Sequence, residues 1–158
     1  MCSLRLHVPA GQPVFICYNR AMSIDLGSLE QAVASLKGAL ETYDAQLVSS
    51  TPGVQLVLRD GVIQRFEYTM ELCWKMLKRH LEESGLERVD SFGIKELFRV
   101  GYEQGLVTDP VVWFDYLKKR NLTSHTYDEE TAKTVFAAAR SFLPDAEDLL
   151  AQLKERNR

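Results

Sequence analysis

From Val54 to Glu83 the chain keeps apolar residues on one side of a helix for about eight turns: Leu58, Val62, Phe66, Met70, Cys73, Leu77 and Leu81. The steps are three and four residues, the helical period, and not the alternation a half-buried strand would show. Ile63, Thr69, Trp74 and Met76 widen the stripe, while Arg65, Glu67, Glu71, Lys75 and Lys78 fill much of the rest. A helix this long must bury its stripe against other helices or a sheet. Ser84-Gly85 marks its stop.

The remaining segments supply helices. Leu26, Leu29, Val33, Leu36, Leu40, Tyr43 and Leu47 repeat the period from Ile24 onward, and Pro52-Gly53 reads as the end of that helix. Ser91 is read as the N-cap of a third helix, Phe92 to Gln104, closed by Gly105. Thr108-Asp109-Pro110 opens a fourth, which passes Trp113, Phe114 and Leu117 and ends near Leu122. Thr126 and Glu129 have capping-box spacing, with Asp128 as the other candidate cap for a last helix from Asp128 to Glu155. Pro144 is expected to kink or divide that helix. No hairpin signal interrupts this pattern, so the expected fold is all-α, an up-and-down bundle of four to five helices.

Residues 1–21 carry Pro9, Gly11, Pro13 and no sustained period. They are expected to form a poorly ordered extension ahead of a helical domain over 22–158, with Met22 as a candidate native start.

A net charge of −3 and a pI of about 5.6 exclude a whole-molecule basic field. Only a local basic patch could hold nucleic acid. Cys2, Cys17 and Cys73 form neither a disulfide framework nor a zinc knuckle, and Cys73 falls on the apolar stripe. No apolar run approaches the roughly 20 residues of a membrane span. The expected location is the cytoplasm.

The densest chemistry lies in Lys118-Lys119-Arg120-Asn121-Leu122-Thr123-Ser124-His125-Thr126-Tyr127. A guanidinium can hold a phosphate through two bonds, and imidazole suits proton transfer near neutral pH. Arg120 and His125 are five apart, about 140° on an ideal helix, so they converge only if the helix ends between them or a second subunit supplies one of them. The plain alternative is a solvated basic helix end with a capping histidine. His7 and His80 stand apart from this cluster and form no metal site. Glu67 and Glu71 are four apart, but lack the Glu-x-x-His partners of a di-metal bundle and read as a solvated or partner-facing side. Arg59 and Asp60 are candidates for the cleft near the motif that sequence alone does not place.

Arg120-Asn121-x-x-x-His125-x-Tyr127 resembles the R-x(4)-H-x-Y signature of HepT-type HEPN proteins. The stretches from Leu58 to Lys75 and from Asn121 to Glu130 resemble the nucleotidyltransferase substrate-binding-protein family within that superfamily. The resemblance spans about residues 24–153. It implies a helical bundle that forms a homodimer and pairs with a minimal (MNT-type) nucleotidyltransferase. It further implies a toxin–antitoxin pair in which the HEPN member is a metal-independent endoribonuclease acting on RNA, with no cofactor. On that pattern Arg120, His125 and Asn121 are the catalytic candidates, and Tyr127 is the acceptor of AMP from the partner. Two other readings stay open: a non-catalytic subunit that binds substrate for the nucleotidyltransferase, and a helical interaction domain whose motif residues only cap helices.

Overall fold

The computed structural model describes residues 24–157. Five helices follow in order: α1 (Gly27–Gln46), α2 (Pro52–Glu83), α3 (Ile94–Glu103), α4 (Pro110–Asn121) and α5 (Glu129–Arg156). Single three-ten turns lie at Val89–Ser91 and Thr123–His125. Among the described residues there is no strand, and no helix is long and apolar enough to cross a membrane. The extension expected over 1–21 lies outside the described residues.

The long apolar stripe does what its period requires. Val62, Phe66, Met70, Cys73, Leu77 and Leu81 of α2 are fully buried, and α2 packs on each of the other four helices. Burial pushes the Cys73 thiol pKa far up, so it behaves as a small core hydrophobe. Leu29 and Leu36 from α1, Phe142 and Leu149 from α5, and Phe98 and Trp113 from α3 and α4 close the core. Phe66 and Phe142 meet edge to face at 5.1 Å, and Phe98 stacks on Trp113 at 4.8 Å. Each such side chain contributes about 1.5–3 kcal/mol on burial, which makes this core the main support of the fold.

Polar contacts set the alignment of α1 against α5. Lys154 pairs with Glu30 at 2.9 Å, Lys37 with Glu147 at 3.1 Å, and Arg140 with Asp44. Asn157 receives the Ile24 N–H and donates to the Ile24 carbonyl, both at 2.8 Å. The ion pairs are exposed and worth roughly 0–1 kcal/mol each, so they fix register more than stability. Tyr116 ties α4 to α5, its hydroxyl 2.9 Å from the Ser141 carbonyl and 2.5 Å from Asp145 Oδ2.

Three local expectations change. Pro52-Gly53 does not end the first helix; α1 stops at Gln46, and Pro52 is the first residue of α2 behind the Thr51 cap. Proline suits that position because its missing N–H would have no helical partner there. Ser91 does not cap α3; its hydroxyl donates to the Arg88 carbonyl within a three-ten turn, and α3 starts after Gly93. Pro144 does not divide α5, which is continuous through it. Its ring sits on the exposed side, where a carbonyl left without a helical donor can bond to water. Of the two cap candidates for α5, Asp128 is the one used, accepting from the Thr131 N–H at 2.8 Å.

At Gly101 α3 comes close against Leu77 of α2. A Cβ there would lie 3.1 and 3.2 Å from the Leu77 methyls and 3.2 Å from Val107 Cγ2. Overpacking costs about 1–3 kcal/mol, against roughly 1 kcal/mol regained in helix propensity. Gly101→Ala is therefore expected to lower stability by up to about 2 kcal/mol, read as a lower urea midpoint with unchanged helix content.

Candidate functional site

The site grows from the way α4 ends. Asp109 caps its start by accepting from the Val111 N–H at 2.8 Å, and Lys118, Lys119 and Arg120 fill its last turn, where cations oppose the helix dipole. After Asn121 the chain tightens into the turn Thr123–His125. The His125 N–H donates to the Leu122 carbonyl at 2.9 Å. The Thr123 hydroxyl donates back to the Arg120 carbonyl at 2.9 Å, and Thr126 to the Thr123 carbonyl at 3.1 Å. Short hydroxylated side chains thus satisfy the backbone of a turn that has left the helix.

The α-helix therefore ends between Arg120 and His125, the condition under which the two can converge. The His125 and Tyr127 rings meet edge to face at 6.1 Å. Both are exposed, and Tyr127 is 88% open to solvent. Asp128 then starts α5, so Tyr127 stands on the brief stretch between two fixed structures.

Arg120 is directed at α2. Its Nη2 lies 3.7 Å from Glu67 Oε1 and 3.5 Å from Glu71 Oε2. Burial disfavours the charged form of Glu71. Hydrogen bonds from Lys75 and Trp74, with Arg120 nearby, outweigh it and hold the carboxyl below its usual range. Arg120 Nε is buried without a hydrogen-bond partner, and its side chain as a whole is about one-third exposed. The guanidinium is thus oriented by charge over long contacts. Among the described residues, no hydrogen bond joins the Arg120 side chain to Asn121, His125 or Tyr127. Asn121 lines a different surface, the groove between α3 and α4 beside Lys95, Phe114 and Lys118. The structure pairs His125 with Tyr127, sets Arg120 on the α2 side of the same turn and puts Asn121 on the α3 side.

Three neighbours were not assignable from the sequence. Glu67 and Glu71 face Arg120 and not open solvent alone. Arg59, largely buried, donates to Glu129 Oε1 at 2.8 Å, which brings the start of α2 to the start of α5 just past Tyr127. These pairings join residues about fifty to seventy apart in the chain, and no local period signals them. His80 is buried in the last turn of α2, and burial together with Arg156 depresses its pKa. It belongs to the core and not to the motif.

Fold and turn together define an all-helical bundle that presents a basic, histidine- and tyrosine-bearing junction between its last two helices. The model of the family described as nucleotidyltransferase substrate binding protein like matches residues 24–155. A Haemophilus influenzae protein described as a probable ribonuclease HepT is 38% identical over 133 residues, covering 82% of this chain and 87% of that protein. A solved Haemophilus influenzae structure, described as the fold of a substrate binding domain of a nucleotidyltransferase, superposes with a TM-score of 0.78 at 35% identity. The match covers 82% of this chain and 99% of the other. A Thermus thermophilus crystal structure gives 0.59 at 37% identity, over 82% and 98%. The chain belongs to this HepT-like, nucleotidyltransferase substrate-binding family.

The long, part-exposed contacts of Arg120 predict that it contributes little to folding. Arg120→Ala is expected to change unfolding stability by less than about 1 kcal/mol, measured by urea denaturation. Any loss of activity in that variant is then a property of the site.

Proposed function

We propose that the chain is the HEPN-type toxin of a two-component pair and a metal-independent endoribonuclease, silenced when its nucleotidyltransferase partner transfers AMP to Tyr127. The observation that carries this reading is the exposed His125–Tyr127 pair on a turn whose preceding helix ends just past Arg120. The related Haemophilus influenzae protein described as a probable ribonuclease HepT supports the ribonuclease part of this reading. The RNA 2′-oxygen attacks the adjacent phosphorus and the 5′-oxygen leaves, giving a cyclic phosphate and a 5′-hydroxyl. His125 moves a proton at one of those oxygens. Arg120 stabilises the charge building on the phosphoryl oxygens; Asn121, expected from the sequence to share that work, opens instead onto the groove between α3 and α4 and is given no role at the reacting phosphate. A homodimer would set two such turns at one cleft and supply the second acid or base.

Silencing follows from the position of Tyr127. Its hydroxyl attacks the α-phosphorus of ATP on the partner, loses its proton and releases pyrophosphate. The bound AMP then places a bulky anion beside His125, where it excludes the substrate by volume and repels RNA phosphates by charge.

Incubation with total tRNA and with mRNA in excess EDTA tests the nuclease. Cleavage is expected to persist in EDTA and to fall by about 10²–10⁴-fold in His125→Ala, the usual weight of a general acid–base group. Full activity in His125→Ala, or a strict metal requirement, would refute it. Tyr127→Phe is expected to retain cleavage and to escape silencing by the partner with ATP; the readout is the mass shift of one AMP, present in the native chain and absent from the variant.

A second reading is a non-catalytic subunit that binds substrate for the nucleotidyltransferase. The pairing of Arg120 with Glu67 and Glu71 favours it, because two carboxylates weaken the field available to a phosphate. Expression without the partner separates the two. Toxicity lost in Arg120→Ala supports the enzyme; harmless expression with tight partner binding supports the subunit.

A further inference from the structure

The chain holds eight lysines, all among the described residues. Lys37, Lys75, Lys78, Lys119, Lys133 and Lys154 each pair with a carboxylate. Lys95 and Lys118 pair with none among the described residues, and both line one open groove of about 560 Å³ between α3 and α4. Its apolar wall is Val111, Phe114, Leu117 and Leu122. Lys95 Nζ lies 5.7 Å from the Phe114 ring centre, which holds that cation against the groove wall; the Arg99 guanidinium lies 5.2 Å from the same ring, next to the groove and not lining it. Two carboxylates temper the positive charge: Asp115 lines the groove 3.9 Å from Lys119 Nζ, and Glu96 pairs with Arg99. The balance stays positive in a chain whose net charge is −3.

We propose that this groove is a subsite for the RNA strand flanking the cleaved phosphate, with Lys95 and Lys118 on backbone phosphates and the apolar wall against ribose and base. The proposal rests on the ribonuclease reading and deepens it. The occupant is argued from charge and continuity. Two lysines without counter-ions call for an anion, and Leu122 of the groove wall accepts the His125 N–H at 2.9 Å, so the groove adjoins the His125 turn. A strand whose scissile phosphate sits at the Arg120–His125 turn continues from there onto this surface. A local patch of this kind also lets an acidic protein hold RNA without a basic whole-molecule field.

The test is binding of a short fluorescein-labelled single-stranded RNA by anisotropy over a range of salt. It compares the full-length chain with Lys95→Gln/Lys118→Gln, both in a His125→Ala background to prevent cleavage. The double variant is expected to bind more weakly, with a log–log salt slope shallower by about 1.4, from about 0.7 per phosphate contact on single strands. Lys154→Gln, which alters a lysine paired with Glu30, is expected to leave the slope unchanged. Both groove lysines are exposed, so matching urea midpoints exclude misfolding as the cause. With His125 restored, the double variant is expected to raise KM for RNA cleavage at unchanged kcat. An unchanged affinity and slope overturns the subsite. If the double substitution instead abolishes binding to the nucleotidyltransferase partner, or changes sedimentation mass, while RNA binding stays intact, the groove is a protein interface and the proposal fails. Absence of cleavage in the native chain with a lysine-dependent salt slope would refute the nuclease and leave the RNA subsite standing.

Discussion

Burial of one face of α2 is the constraint on which everything else depends. Phe66, Met70, Cys73 and Leu77 have essentially no contact with water, and α1, α3, α4 and α5 each pack on α2. Because α2 is central, the flank beside its buried stripe becomes the reference surface for the site. Glu67 and Glu71 follow from the same rotation that buries Phe66 and Met70. A helix that points its apolar stripe inward has no freedom left over where its carboxylates point.

The second element is a helix ending at the right place. Cations in the last turn of α4 relieve its dipole, and the hydroxyls of Thr123 and Thr126 satisfy carbonyls in the turn that follows. The Asp128 cap then starts α5 at once. A basic helix end, a hydroxyl-rich turn and an acidic cap are each ordinary. In sequence, they hold His125 and Tyr127 out in solvent on a backbone with little slack, while Arg120 is drawn back toward α2. Structural stability is carried by the core and not by the exposed junction, so substitutions at the junction need not disturb the fold.

For the proposed RNA subsite, local electrostatics matter more than net charge. An overall negative chain would disfavour RNA at long range, yet most of its lysines are matched by carboxylates, and the two that are not, among the described residues, share one groove. Screening over about 8–10 Å makes such a patch largely independent of charge on the far side of the bundle.

Much of this was readable in the residues themselves. The stripe from Leu58 to Leu81 fixed α2 and its buried face, Asp109-Pro110 fixed the start of α4, and Arg120-x(4)-His125-x-Tyr127 marked the junction. Those signals are local, set by helical period and by caps within one turn. Boundaries that turn on competing local bonds were less legible: Pro52 serves as a start and not a stop, Ser91 bonds within a three-ten turn, and Pro144 is absorbed by a helix exposed to water on that side. By itself the sequence determined which segments are helical, which face of each is apolar and that Arg120, His125 and Tyr127 fall at one helix junction. Only the tertiary structure decided that Arg120 meets Glu67 and Glu71, that Arg59 reaches Glu129 and that Asn121 opens onto a lysine-lined groove. Those contacts depend on how whole helices pack, and packing is set by the shape of the shared core and not by any short run of residues.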